Sequence, residues 1–167
     1  GYSVVSNAFD VIGGSAATFT ISSIPDPQTA GSSFNVTVTA KDGYGNVAAG
    51  YTGTAGISDG TGVISPVSVV FANGTTTFSA VITKAAAGVT VAAVDGTLVA
   101  VSSPFDVIPS VGVAFEVGAI ADQVAGTGFT ISATEKDAYG NVVTGYNGSA
   151  NVSDSTDVTA KMGLRAS

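Results

Sequence analysis

Two five-residue runs hold most of the residues that could do chemistry. Asp42-Gly43-Tyr44-Gly45-Asn46 and Asp137-Ala138-Tyr139-Gly140-Asn141 each set a carboxylate and an amide oxygen among glycines. Oxygen ligands on a tight loop suit a hard cation such as calcium. Each run brings a single carboxylate, and usable calcium sites mostly have more. The same residues also suit a structural turn. Asp accepts backbone N–H groups, Gly supplies positive φ, and Asn tolerates the left-handed region. We read the runs as scaffold turns with no cofactor. Calcium shared at a module junction, drawing on Asp10, Asp42, Asp106 or Asp137, is the alternative.

Other candidates are weaker. Tyr44, Tyr51, Tyr139 and Tyr146 could stack on sugar rings, but the chain has no Trp. Packing over a sheet, with the hydroxyl bonded to a loop, is the expectation. Glu135 stands at an inward register position and is expected to reach water at a strand end, because an unpaired buried carboxylate is costly. Lys41 and Lys136 fall on the outward register, which rules out a buried isopeptide linkage. Asn35, Asn73, Asn147 and Asn151 each open a glycosylation sequon. There is no Gly-x-Ser-x-Gly, and no His to serve as base for a serine triad. No motif places a carboxylate pair for glycoside hydrolysis. The chain is read as a non-enzyme.

Composition narrows the class. Apolar residues make up 45% of the 167, charged residues only 10%, and the net charge is -7. Five Lys and Arg residues cannot build a phosphate-binding patch, so nucleic acid is not an expected partner. The absence of Cys removes disulfides and thiolate chemistry together. No apolar run reaches the roughly 18–20 residues of a membrane span, and no signal-peptide pattern is visible. A secreted protein with this sequence would be an internal fragment or a mature form.

The elements that carry these residues repeat. The run from Ala30 to Gly53 returns from Ala125 to Gly148, an offset of about 95 residues, the size of a small β-domain. Phe34, Val36, Val38 and Ala40 alternate with polar residues, the period of a strand with one buried face. Val67, Val69 and Phe71 do the same. Asn73-Gly74 predicts a type I′ hairpin, with Phe78, Ala80 and Ile82 returning. Val89, Val91 and Ala93 predict one strand, Asp95-Gly96 its turn, and Leu98 to Val101 the strand back. Ala85-Ala86-Ala87 reads as a turn. Ser103-Pro104 should bulge or end pairing, and Phe105, Val107 and Ile108 should complete the edge. No helical period appears. Short strands with frequent turns predict an all-β, antiparallel, Ig-like sandwich in tandem repeats. Phe34, Val36, Val38, Val69, Phe71, Phe78, Ile82, Val91 and Phe105 are the expected core.

Across Phe34-x-Val36-x-Val38-Thr39-Ala40-Lys41-Asp42-Gly43-Tyr44-Gly45-Asn46-Val47 and on to Gly50-Tyr51-x-Gly53, the chain resembles bacterial Ig-like repeats of the invasin and intimin type. The resemblance covers nearly all of residues 16–108 and most of 113–154. It implies a scaffold domain of secreted surface proteins such as adhesins and S-layer proteins, with no catalytic residue. Such repeats are also appended to secreted glycoside hydrolases.

The repeat frame sets the boundaries. Phe9-Asp10-Val11-Ile12 matches Phe105-Asp106-Val107-Ile108, so residues 1–12 are read as the last strand of a preceding module. A linker at 13–17, a complete module at 18–108, a linker at 109–112 and the first half of a second module at 113–167 follow. After Asp154 the second copy departs from its template; Lys161 to Arg165 has no counterpart in the first. The expected role is a structural or adhesive segment at the cell surface or outside the cell, with adjacent modules or copies of itself as partners. One alternative is head-to-tail polymerisation in which Phe9, Val11 and Ile12 donate a strand to another copy. Another is an accessory module of a secreted enzyme, contacting polysaccharide.

Overall fold

The computed structural model describes residues 1–153 and 159–164. Every regular element in them is a strand, and the fold is the antiparallel sandwich the alternation implies. The strands of the first repeat are β1 (Thr18–Ile21), β2 (Gln28–Thr29), β3 (Ser33–Lys41), β4 (Thr54–Asp59), β5 (Ser68–Val70), β6 (Thr75–Val81), β7 (Ala86–Val89), β8 (Val91–Asp95), β9 (Leu98–Val101) and β10 (Phe105–Ile108). They form sheets of order β1-β3-β6, β5-β4-β8-β9 and β2-β10-β7. β2 and β10 pair in parallel; the other pairs in these sheets are antiparallel.

The alternating face of β3 buries Phe34, Val36, Val38 and Ala40. These close over Ala55, Ile57, Val69, Val91 and Ala93 from the four-stranded sheet and Val89, Phe105 and Val107 from the third. Eight of the nine expected core residues are buried, and Phe78 packs half-buried against the cluster. Asn73 and Gly74 both have positive φ, 52° and 76°, and Thr75 N–H bonds Ala72 C=O at 3.1 Å, as a type I′ turn requires.

Four local expectations are corrected. Val67 precedes β5 and is exposed. Ala85-Ala86-Ala87 is no turn, since Ala86 opens β7 and pairs with Val107. The run Val89-Val91-Ala93 is two strands in different sheets, switching at Thr90. Ser102 makes the switch possible. Its hydroxyl accepts the Val91 N–H at 3.0 Å and donates to Ser103 C=O at 2.9 Å, while its own N–H bonds Val91 C=O. Ser103-Pro104 ends the pairing there, and β10 then enters the third sheet at its centre instead of at an edge.

The second repeat contains β11 (Gly112–Val117), β12 (Ala133–Asp137), β13 (Gly148–Ser153) and β14 (Thr159–Leu164). Phe115 opposes Glu135 across β11 and β12, as Phe19 opposes Ala40 across β1 and β3. β12 is shorter than β3. Before Thr37, β3 pairs with β6 alone, and the described residues hold no counterpart of β6. Phe129, the equivalent of Phe34, is accordingly half exposed and outside any strand. β14 pairs with β13 antiparallel, as β5 pairs with β4, although its sequence has no counterpart in the first repeat. The expectations for residues 154–158 and for Arg165 to Ser167 lie outside the described residues.

Residues 1–12 form no strand within this chain, because none of its described sheet edges pairs with them.

Candidate functional site

The two Asp-x-x-Gly-Asn runs fold alike. Asp42 N–H bonds Asn46 C=O at 2.9 Å and Gly45 N–H bonds Asp42 C=O at 3.1 Å; the Asp137 loop repeats both at 3.0 and 3.1 Å. Gly45 and Gly140 supply the positive φ, 86° and 82°. The carboxylate fills the centre of each loop. Asp42 Oδ1 accepts the Tyr44 and Asn46 N–H groups, both at 2.9 Å, and Asp137 Oδ1 accepts those of Tyr139 and Asn141 at 2.9 and 2.8 Å. The second oxygen reaches a backbone N–H outside the loop. Asp42 Oδ2 takes Gly14 N–H at 2.9 Å and Asp137 Oδ2 takes Ser110 N–H at 3.0 Å.

These bonds set the acidity of both groups. Asp42 is held at about 2, chiefly by Gly14 N–H; burial opposes this, and the Asn46 amide and the N–H groups of Asn46 and Tyr44 add to it. For Asp137 burial is the largest influence and raises the pKa, but the Asn141 amide and the N–H groups of Ser110, Asn141 and Tyr139 outweigh it and leave about 2. A carboxyl depressed in the folded state contributes stability that is full above its unfolded pKa of about 3.9 and is lost as pH falls through the folded value. Thermal stability should therefore lose the contribution of these loops between about pH 4 and pH 2. Carboxyl NMR titration would check the assignment, with both midpoints expected near 2; midpoints near 4 would contradict it.

Asn141 does more than close its loop. Its side-chain Oδ1 accepts the Ala85 N–H at 2.9 Å, and its Nδ2 donates to Thr83 C=O at 2.8 Å. Tyr139, beside it, lays its ring where a Cβ on Gly31 would stand. The loop of the second repeat thus grips the end of the first at two backbone groups and one glycine. Sequence reading missed this joint. Thr83 and Ala85 contribute only backbone atoms, so no side-chain pattern marks them.

The remaining candidates fall as follows. Tyr51 packs edge-on against Phe19 and Phe71, with ring centroids 5.5 and 5.0 Å away, and donates its hydroxyl to Asp95. Burial first, then the bond to Asp95 and its charge, push the phenol up to about 12. Tyr146 packs on Phe115 at 5.1 Å. The rings of Tyr51 and Tyr146 occupy the space of a Cβ on Gly53 and Gly148, which explains the Gly-Tyr-x-Gly spacing. Tyr44 differs from these, being 94% exposed. Glu135 is part-buried with its carboxylate against Gly112, and Lys136 pairs with Glu116 at 3.4 Å.

Among the described residues no three acidic side chains come together. Asp106 caps Gly88 N–H at 2.9 Å and Asp10 is exposed. Phe9, Val11 and Ile12 are also exposed, Phe9 at 75%. The described residues contain no helix long and apolar enough to cross a membrane.

No family model and no curated protein matches the chain. Two solved structures are similar in shape. Domains 5–6 of the S-layer protein SbsC match over 90% of this chain and 85% of theirs, at 16% identity and a TM-score of 0.41. SbsC residues 31–844 match over 90% of this chain and 21% of theirs, at 16% identity and a TM-score of 0.43. At these values the likeness carries no argument about function.

Proposed function

We propose that the chain is a structural segment of an extracellular or cell-surface protein. In this reading residues 18–108 are one complete Ig-like unit and residues 113–167 the first half of the next, with 13–17 and 109–112 as linkers. The units act as spacers that hold or present another element at a fixed distance. The observation that carries the reading is the joint. A flexible string of units has no need of Asn141 bonded to Thr83 and Ala85, with Asp137 bonded to the linker at Ser110. A chain with charged residues at only 10%, and so with a polar surface built largely from Thr, Ser, Asn and Gly, supports a place outside the cell.

The reading assigns no catalysis and no resident metal. Both oxygens of Asp42 and of Asp137 already accept N–H groups. Excess chelator should leave the melting temperature unchanged; a fall of several degrees, restored by calcium, would put calcium at the joint instead.

Two measurements test the role. Antibodies against the chain should label intact cells of the source organism, and the label should disappear after brief external protease. Labelling only of broken cells would contradict a surface location. Small-angle scattering should fit one fixed arrangement of the two repeats, and Asn141→Ala with Tyr139→Ala should loosen it. Equal spread in both proteins would remove the spacer role.

A further inference from the structure

The loop of the first repeat has everything the loop of the second uses for its grip, but among the described residues its Tyr44 and Asn46 side chains hold no other unit. Tyr44 and Asn46 stand where Tyr139 and Asn141 stand, on the same backbone turn with the same carboxylate at its centre. Asn141 reaches across to Thr83 and Ala85; among the described residues the Asn46 side chain bonds only within its own loop, to Asp42 at 3.2 Å. Tyr139 is 50% exposed over Gly31, whereas Tyr44 is 94% exposed.

We propose that the Tyr44–Asn46 face is the second half of another joint, and that it takes the far end of a further unit of this same repeat. The linker fixes which unit. Ile108, the last residue of β10, lies two residues before Ser110, which bonds Asp137. Ile12 lies two residues before Gly14, which bonds Asp42 in the same way. Phe9-Asp10-Val11-Ile12 repeats the β10 sequence Phe105-Asp106-Val107-Ile108. A unit using residues 9–12 as its last strand would therefore bring its own far end to Tyr44 and Asn46 along a linker of the same length. What it must present is what the first repeat presents: a C=O and an N–H two residues apart, as at Thr83 and Ala85, and a glycine under the tyrosine ring, as at Gly31. An exposed aromatic beside an amide also suits a sugar. The joint accounts for the ring and the amide together, because both are in use in the twin loop.

This inference rests on the spacer reading. It is tested on a fusion in which a second copy of residues 18–108 replaces residues 1–12 of the full chain. The buried cluster of the first repeat lies wholly between Phe19 and Val107, so the added copy brings its own core. Nitration of tyrosine by tetranitromethane, read by mass spectrometry, is the probe. In the parent chain Tyr44 should react faster than Tyr139. In the fusion Tyr44 should slow about twofold, following the ratio of 94% to 50% exposure, and Asn46→Ala in the fusion should restore the fast rate. The Ala85 amide of the added copy should also exchange slowly, and Asn46→Ala should release it. An unchanged Tyr44 rate, or a slowed rate that Asn46→Ala leaves slow, overturns the proposal. If that happens while Asn141 still protects Ala85 in the parent chain, the spacer reading stands without it. If Ala85 is unprotected in the parent chain as well, both fail.

Discussion

Phe105→Ala is expected to destabilise the first repeat by about 3–5 kcal/mol, the usual loss for a buried aromatic. Phe9→Ala is expected to change stability by less than about 0.5 kcal/mol. The two phenylalanines open the same four-residue sequence, and the difference lies wholly in what surrounds them. Phe105 is 2% exposed, sits on the central strand of its sheet and meets Phe34 edge-on at 5.7 Å. Removing the ring leaves a cavity between two sheets that the short strands cannot collapse into. Phe9 is 75% exposed and lies outside any strand. A loss of about 3–5 kcal/mol is a large part of the roughly 5–15 kcal/mol that holds a domain together. Urea melts of the two variants check the pair; similar losses from both would mean that residues 1–12 pack into the fold.

Gly31→Ala is expected to cost about 1–2 kcal/mol from backbone strain alone, since Gly31 has φ +78° in the left-handed region. It should also unseat Tyr139, whose ring fills the place of the new methyl. The two costs separate in a double-mutant cycle. In a Tyr139→Ala background the strain remains and the clash is gone, so Gly31→Ala should cost less there, by roughly 0.5–3 kcal/mol. Gly126 is the positional twin. It has φ +80° and nothing within 4 Å of its absent Cβ, so Gly126→Ala should carry strain only. A cycle with no coupling between residues 31 and 139 would mean that the ring does not hold the joint.

The strands were legible where one face is buried and the other wet. Along β3 the alternation from Phe34 to Ala40 gives the face and register directly, and Asn73-Gly74 gives the turn that leads into β6. Legibility failed where the chain changes sheet. Val89, Val91 and Ala93 keep a perfect alternation through Thr90, yet the strand breaks there because Ser102, just past the end of β9, takes the Val91 N–H. That bond depends on a side chain eleven residues away, which no local pattern encodes. The carboxylate turns were legible for a related reason. Asp, Gly and Asn at those spacings satisfy their own backbone, so the loop is a local object. The joint is not local. Asn141 meets Ala85 across 56 positions, through an N–H that every residue but proline has. The repeated Tyr and Asn marked the loop in both copies, but only the fold shows what the second copy holds.

Amide exchange at Ala85 tests the joint most directly. Its N–H has Asn141 Oδ1 as acceptor, in the other repeat. In the intact chain this amide should exchange slowly, and Asn141→Ala should raise its rate severalfold. Amides deep in the first core, at Val36 and Val91, should keep their rates. A fast Ala85 amide in the intact chain, or one whose rate Asn141→Ala leaves unchanged, would mean that the two repeats are merely tethered and that the Asp-x-x-Gly-Asn loop fastens nothing.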